Sequence, residues 1–187
     1  MFFIQMSGFP GSGKSTLAFE IAKRTDCVIV DHDVTKTALL QSAKEGAIDE
    51  RATGKIAYNV DFALVDFYLA QGKSVILDSP CLYEEIIVRG TEISRKYGAN
   101  YKYIECYLAD FSEINRRLKS RQKRLSQIAE VKSTEVFQAT LTQSKKLAPN
   151  DFLLVNSGEQ LHNYINIVME YVQKEAGGDN NDTSKSR

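Results

Sequence analysis

Apolar positions along the chain follow two different periods. Short β-rich runs, FFIQM (2–6), CVIV (27–30), SVILD (74–78), YKYIECYL (101–108) and FLLV (152–155), alternate with longer stretches whose apolar residues recur three and four apart. Side chains alternate across a strand but share a helix face at the wider spacing, so the runs predict five strands and the stretches predict helices. The helical stretches begin near Lys14, Val34, Lys55, Tyr83, Phe111, Thr134 and Glu159 and contain no proline. Tyr58, Phe62, Val65 and Leu69 keep the helical period most clearly, and Gly72 follows as a stop signal. Strand and helix in alternation imply parallel strands joined by crossover helices. From Asp110 to Lys146 helical and basic positions continue without a strand, which predicts an insertion that covers the sheet as a lid.

Composition narrows the picture. The chain has 187 residues, 43% of them hydrophobic, the size and make-up of one domain with one core. The last eleven residues, GGDNNDTSKSR, offer nothing to bury, so a domain is expected over 1–176 and a disordered tail over 177–187. Lys plus Arg and Asp plus Glu number 24 each, so no overall field draws the molecule to nucleic acid or to an anionic membrane. An acidic partner has to be met locally. Cys27, Cys81 and Cys106 are odd in number, lack CxxC spacing and lie in or just after apolar runs, as reduced buried thiols do. The N-terminal MFFIQMSG lacks the basic region of a signal peptide, and no apolar run approaches the ~18 residues of a membrane span. These features together point to a cytoplasmic protein.

The chemistry begins at GFPGSGKST, which fits G-x-x-x-x-G-K-[ST] between an apolar strand and a helical run. Glycines at 8, 11 and 13 let the backbone wrap a phosphate with its N–H groups turned inward, and the helix from Lys14 adds its positive end. The loop residues Gly8, Pro10, Gly11, Ser12, Gly13, Lys14, Ser15 and Thr16 are therefore the expected ATP-binding set. In it Lys14 reaches the β- and γ-phosphates, Ser15 supplies an oxygen to Mg²⁺ and Thr16 donates to the α-phosphate. The chain has no N-K-x-D or D-x-x-G segment of a GTPase. Asp78 at the end of the third strand is followed by Ser79, where a motor ATPase carries a glutamate.

The second strand ends VDHD, which brings Asp31 and Asp33 to the carboxyl edge of the sheet, where ligands bind in such folds. Asp33 is the candidate base for the acceptor hydroxyl, and Asp31 a candidate outer ligand of Mg²⁺ or partner of Lys14. Both could instead simply cap the following helix. Asp78 stands where a carboxylate meets the Mg²⁺ water shell. RRLKSRQKR (116–124) carries six cations, and at helical spacing Arg117, Arg121 and Arg124 share a face; Arg117 and Arg121 are the candidates for phosphate contact. His32 and His162 have no metal-ligand spacing and are given no catalytic part. Tyr101, Tyr103 and Tyr107 read as packing residues.

The order GFPGSGKST, VDHDVTK, LAQGKSVILDSP and YLADFSEINRRLKSRQKR resembles the small P-loop kinases grouped with the phage polynucleotide 5′-kinase domain, the zeta toxins and chloramphenicol phosphotransferase, over about residues 3 to 158. The resemblance implies that Asp33 is the base, that Lys36 takes the place of a substrate-contacting arginine and that Arg117 and Arg121 are lid arginines. It also implies that Asn156 to Gly158 flank the nucleotide base. Lys36 cannot form the bidentate fork of an arginine, and the neutral chain is poorly suited to polynucleotides. The combined expectation is an α/β three-layer P-loop domain with a five-stranded parallel sheet in the order 2-3-1-4-5 and a helical lid over about 110–146. It would move the γ-phosphate of ATP, with Mg²⁺, to a hydroxyl of a small-molecule or nucleotide-like acceptor. The alternatives are a nucleic-acid 5′-hydroxyl kinase and a non-catalytic ATP-switched binding module.

Overall fold

The computed structural model describes residues 1–43, 49–81, 83–143 and 152–174. Five strands, β1 (Phe2–Ser7), β2 (Val28–Asp31), β3 (Val75–Asp78), β4 (Asn100–Tyr107) and β5 (Leu153–Asn156), form one parallel sheet in the order β2-β3-β1-β4-β5. The crossovers are α1 (Lys14–Thr25), α2 (His32–Ser42), α3 (Glu50–Ala70), α4 (Glu84–Tyr97), α5 (Phe111–Ser120) and α6 (Thr134–Gln143), and α7 (Leu161–Gln173) follows the last strand. The expected sheet, its order and its strands are thus present, each strand end within two residues of its expected place. Expected lid residues 144–146 and the tail 177–187 lie outside the described residues.

The central strand shows why the layers form. Phe3, Ile4 and Met6 are completely buried, and the two-residue period sends them to opposite faces. Ile4 and Met6 join Leu17 and Ile21 of α1 and Val168 of α7. Phe3 joins Phe62, Val65 and Leu69 of α3 and Ile86 and Ile87 of α4. Each such side chain contributes about 1.5–3 kcal/mol on leaving water, so the two faces hold the sheet between helices. Gln5 is a fully buried polar residue within β1. Its amide donates to the Ile86 carbonyl at 3.0 Å and its oxygen accepts from the Tyr101 hydroxyl. Gly90 of α4 makes room for it.

A third, smaller cluster fixes the lid. Ile114 and Leu118 of α5, Phe137 of α6 and Val131 of the segment between them pack with Leu108 and with Phe9 of the phosphate loop. The Phe9 and Phe137 rings meet edge to face at 4.8 Å. Lid and phosphate loop therefore share one hydrophobic cluster.

Helix ends depart from the sequence pattern where polar caps decide them. Asp31 accepts from the Asp33 and Val34 amides at 2.9 and 3.3 Å, so α2 starts at His32 rather than Val34. Asp49 accepts from the Ala52 amide at 2.9 Å and α3 starts before Lys55. The largest difference is at α5, which stops at Ser120 with Arg121 extended (φ −80°, ψ 151°). Beyond Leu118 no apolar residue continues the buried face, so the helix loses its packing and Arg121 to Arg124 form irregular chain. The expected shared helix face of Arg117, Arg121 and Arg124 is therefore not formed.

Candidate functional site

At the carboxyl end of the sheet the strands open into a cavity of about 950 Å³, bounded by the phosphate loop, α2, the lid and the start of α7. The loop follows from its glycines. Gly8 has φ 129°, and a Cβ there would stand 2.3 Å from the Cys106 carbonyl oxygen of β4, so only glycine lets β1 turn this close to its neighbour. Gly13 caps α1 with φ 86° and gives the helix no side-chain cap, which leaves the first-turn N–H groups of α1 for a ligand anion. Ser12 is fully buried with its hydroxyl unpartnered.

Lys14 is 9% exposed and donates to the carbonyls of Gly8 at 2.9 Å and Phe9 at 3.1 Å. Burial pushes its pKa down, against the pull of the Asp78, Cys106 and Asp33 side chains. Asp78 shows the converse: burial pushes its carboxyl up, against Lys14 and a hydrogen bond from Ser15. Each charge is thus held where water cannot stabilise it and its partner does so incompletely, an arrangement that favours a ligand bringing both phosphate and cation. Asp31 and Asp78 are register partners on β2 and β3.

The acceptor side is built by the start of α2. Asp33 lines the cavity, and its carboxylate accepts from the Gln127 amide at 2.7 Å. The lid segment around Gln127 is tied down further: the Ser126 hydroxyl donates to the Asp33 carbonyl at 3.0 Å and Arg124 pairs with Asp31 at 2.5 Å. Arg117 donates to Glu113 and, at 3.0 Å, to the Ser157 carbonyl across the cavity. Two guanidinium donors hold Glu113 down at about 2. Arg121 donates to the Ile128 carbonyl at 3.1 Å, while its Nε is buried without a partner. Burial lowers the Arg121 pKa, with Asp33 opposing. Lys36 lines the same cavity.

The structure thus brings Pro10, Gly11, Gly13, Lys14, Ser15, Thr16, Asp31, Asp33, Lys36, Asp78, Arg117 and Arg121 to one cavity. Asp31 and Asn156 serve local turns and caps. The oxygens of Asp31 accept from the α2 amides and from Arg124, the capping arrangement. Asn156 accepts from the Gly158 amide at 3.1 Å within its own turn, because a short polar side chain there closes the turn after β5. Ser157, Glu159, Leu161 and Tyr164 line the cavity beside it. Gln127, Ser126 and His32 were not anticipated. His32 is buried, its Nδ1 2.7 Å from Asp61 of α3 and its ring stacked on Tyr58. The Asp61 carboxylate lies 29 positions along the chain, so no local motif marks the pair.

The sheet order, the glycine loop and the helix it caps define a P-loop domain of the kinase-like α/β type. The chain belongs to the AAA domain family, whose model matches residues 3–147. No curated protein matches the sequence. Among solved structures, a candidate kinase from Chloroflexus aurantiacus is similar at 17% identity and TM-score 0.71, over 92% of this chain and 98% of that one. A gluconokinase from Sinorhizobium meliloti is similar at 14% identity and TM-score 0.61, over 91% of each chain. The APS kinase of Mycobacterium tuberculosis, solved with AMPPNP and APS, is similar at 11% identity and TM-score 0.62, over 92% and 98%. At these identities the likeness is one of fold. No helix among the described residues is long and apolar enough to cross a membrane.

Proposed function

We propose that the protein is an ATP-dependent phosphotransferase that moves the γ-phosphate to a hydroxyl of a small-molecule or nucleotide-like acceptor. One observation carries this reading: the phosphate loop, the Asp33 carboxylate and the Arg117 and Arg121 guanidinium groups line the same cavity. The kinase neighbours, one of them solved with AMPPNP, support it.

On this reading the α1 N-terminus and the loop amides hold the phosphates, and Lys14 exchanges its two carbonyl partners for phosphate oxygens. Among the described residues no cluster of three acidic, His or Cys side chains could cage a metal, which suits an ion held chiefly by substrate oxygens and water. Mg²⁺ would be held by Ser15 and, through water, by the adjacent Asp78, and it supplies neutralisation of the phosphate charge. Asp33 accepts the proton of the acceptor hydroxyl as that oxygen bonds to Pγ. The bond from Pγ to the β–γ bridging oxygen breaks, and its electron pair leaves on ADP. Arg117 and Arg121 draw in the equatorial oxygens of the transferring group. The lid, packed on Phe9, excludes water from the cavity.

The test is Asp33→Asn, which keeps shape and removes the base. Mg·ATP affinity should stay within about twofold, and transfer to hydroxylated acceptors should fall by about 10²–10⁴-fold. Unchanged transfer would remove Asp33 from the chemistry.

A further inference from the structure

We propose that His32, oriented by Asp61, is an acceptor-binding residue, and that the acceptor it seats is a small polyhydroxylated molecule, neutral or acidic, with no nucleobase. The inference rests on the phosphotransferase reading and narrows it to a substrate class.

The pair is difficult to explain as packing. Asp61 is completely buried in α3, with Oδ2 on His32 Nδ1 at 2.7 Å and Oδ1 without a partner among the described groups. A buried carboxylate so sparsely satisfied is costly, and an apolar pair would fill the same space at less cost. The imidazole is 6% exposed, yet it lines the cavity between Asp31 and Asp33 in sequence. Nδ1 is committed to Asp61, and the ring face lies against Tyr58 at 4.0 Å and 23°. Nε2 is then the polar atom the ring can offer to a ligand, in a plane fixed by Asp61 and Tyr58, and His32 lines the same cavity as the proposed base. A carboxylate that fixes one imidazole nitrogen so that the other meets the ligand is a recurring device for precise hydrogen bonding.

The surroundings select the ligand. On α2 and after β3 the cavity wall carries the hydrogen-bonding side chains of His32, Asp33, Lys36 and Ser79, together with Pro80. The aromatic rings lining the cavity, other than the imidazole, are Phe19 and Tyr164, on α1 and α7. Tyr58 of α3 has one ring face covered by His32. A nucleobase or single-stranded end is recognised by stacking as much as by hydrogen bonds, and among the described residues lining this wall on α2 and after β3 no aromatic ring other than the imidazole stands. A molecule carrying several hydroxyl groups, by contrast, can meet both Asp33 and His32 in the one cavity, with Lys36 available to an acidic substituent.

Asparagine separates structure from recognition, since its Nδ2 can replace Nδ1 on Asp61 while nothing replaces Nε2. Wild type, His32→Asn and Asp61→Asn are assayed for Mg·ATP consumption with D-gluconate, D-glucose, myo-inositol, glycerol and D-ribose 5-phosphate. A parallel arm contains adenosine, cytidine and a 5′-hydroxyl oligonucleotide. Melting temperature and AMPPNP affinity are measured on each protein. The expected result is consumption with at least one member of the first arm. His32→Asn should then raise that acceptor's KM about tenfold, the loss of one hydrogen bond, with melting temperature and AMPPNP affinity unchanged. Asp61→Asn should raise KM in the same direction. An unmoved KM, or a KM change accompanied by equal loss of AMPPNP binding, overturns the role of His32. Transfer confined to the second arm overturns the substrate class and leaves the phosphotransferase reading standing. AMPPNP binding without transfer in either arm overturns both.

Discussion

The lid segment that reaches Asp33 can be released one bond at a time. The Gln127 amide donates to the Asp33 carboxylate at 2.7 Å in a partly buried setting. A hydrogen bond to a charged acceptor is worth about 1.5–3 kcal/mol, and partial exposure puts this one near the lower figure. Arg124 pairs with Asp31, but its side chain is 41% exposed, so screening leaves it about 0.5 kcal/mol. Gln127→Ala should therefore raise the opening equilibrium of the segment about tenfold, Arg124→Ala two- to threefold, and the double variant roughly thirtyfold. The Ser126 contacts with Thr37 and the Asp33 carbonyl remain in all three. Amide hydrogen exchange of the stretch 121–131, followed by mass spectrometry without nucleotide, reads that equilibrium directly. Exchange within twofold of wild type in the double variant would mean that these bonds do not hold the lid and that lid and acceptor site are not coupled through them.

Two further outcomes follow from single residues. Gly90→Ala would gain up to about 1 kcal/mol of helix propensity in α4, but its Cβ would stand 1.9 Å from Gln5 Oε1, so urea denaturation should show a net loss of about 2 kcal/mol; a gain would mean that Gln5 moves freely. The pKa of Lys14 is depressed by burial when the site is free, and phosphate must raise it, so binding takes up a proton between the two values. Mg·ATP affinity should accordingly weaken as pH rises through that window, and calorimetry in buffers of different ionisation heat should register proton uptake; proton release would contradict the sign.

Much of this architecture can be read from periodicity, because β1, β3 and β4 are buried runs flanked by helices whose apolar faces are complete. Lys14 and Ser15 are legible for the same local reason: a phosphate loop is made by consecutive residues. What escapes the pattern is set by contacts between distant segments. The His32–Asp61 pair joins α2 to α3, and the bond from Gln127 to Asp33 spans 94 positions. The ends of α2 and α5 also elude periodicity. Asp31 caps α2 with its side chain, and α5 stops where its buried face runs out, so the arginines beyond Ser120 enter the cavity from irregular chain. Asn156 illustrates a further limit, since the resemblance implies a part at the nucleotide base while its amide oxygen closes its own turn, a local contact that periodicity does not reveal.

Phosphotransfer by this chain requires the loop from Gly8 to Thr16 to grip a nucleoside triphosphate through Lys14. Calorimetric titration of the full chain with Mg·AMPPNP, set beside Lys14→Met, measures this most directly. The expected result is a dissociation constant between about 1 μM and 1 mM for wild type and binding about 100-fold weaker for the variant, the loss of a charge-assisted contact of nearly 3 kcal/mol. Absence of binding to wild type, or equal affinity in the two proteins, would contradict it.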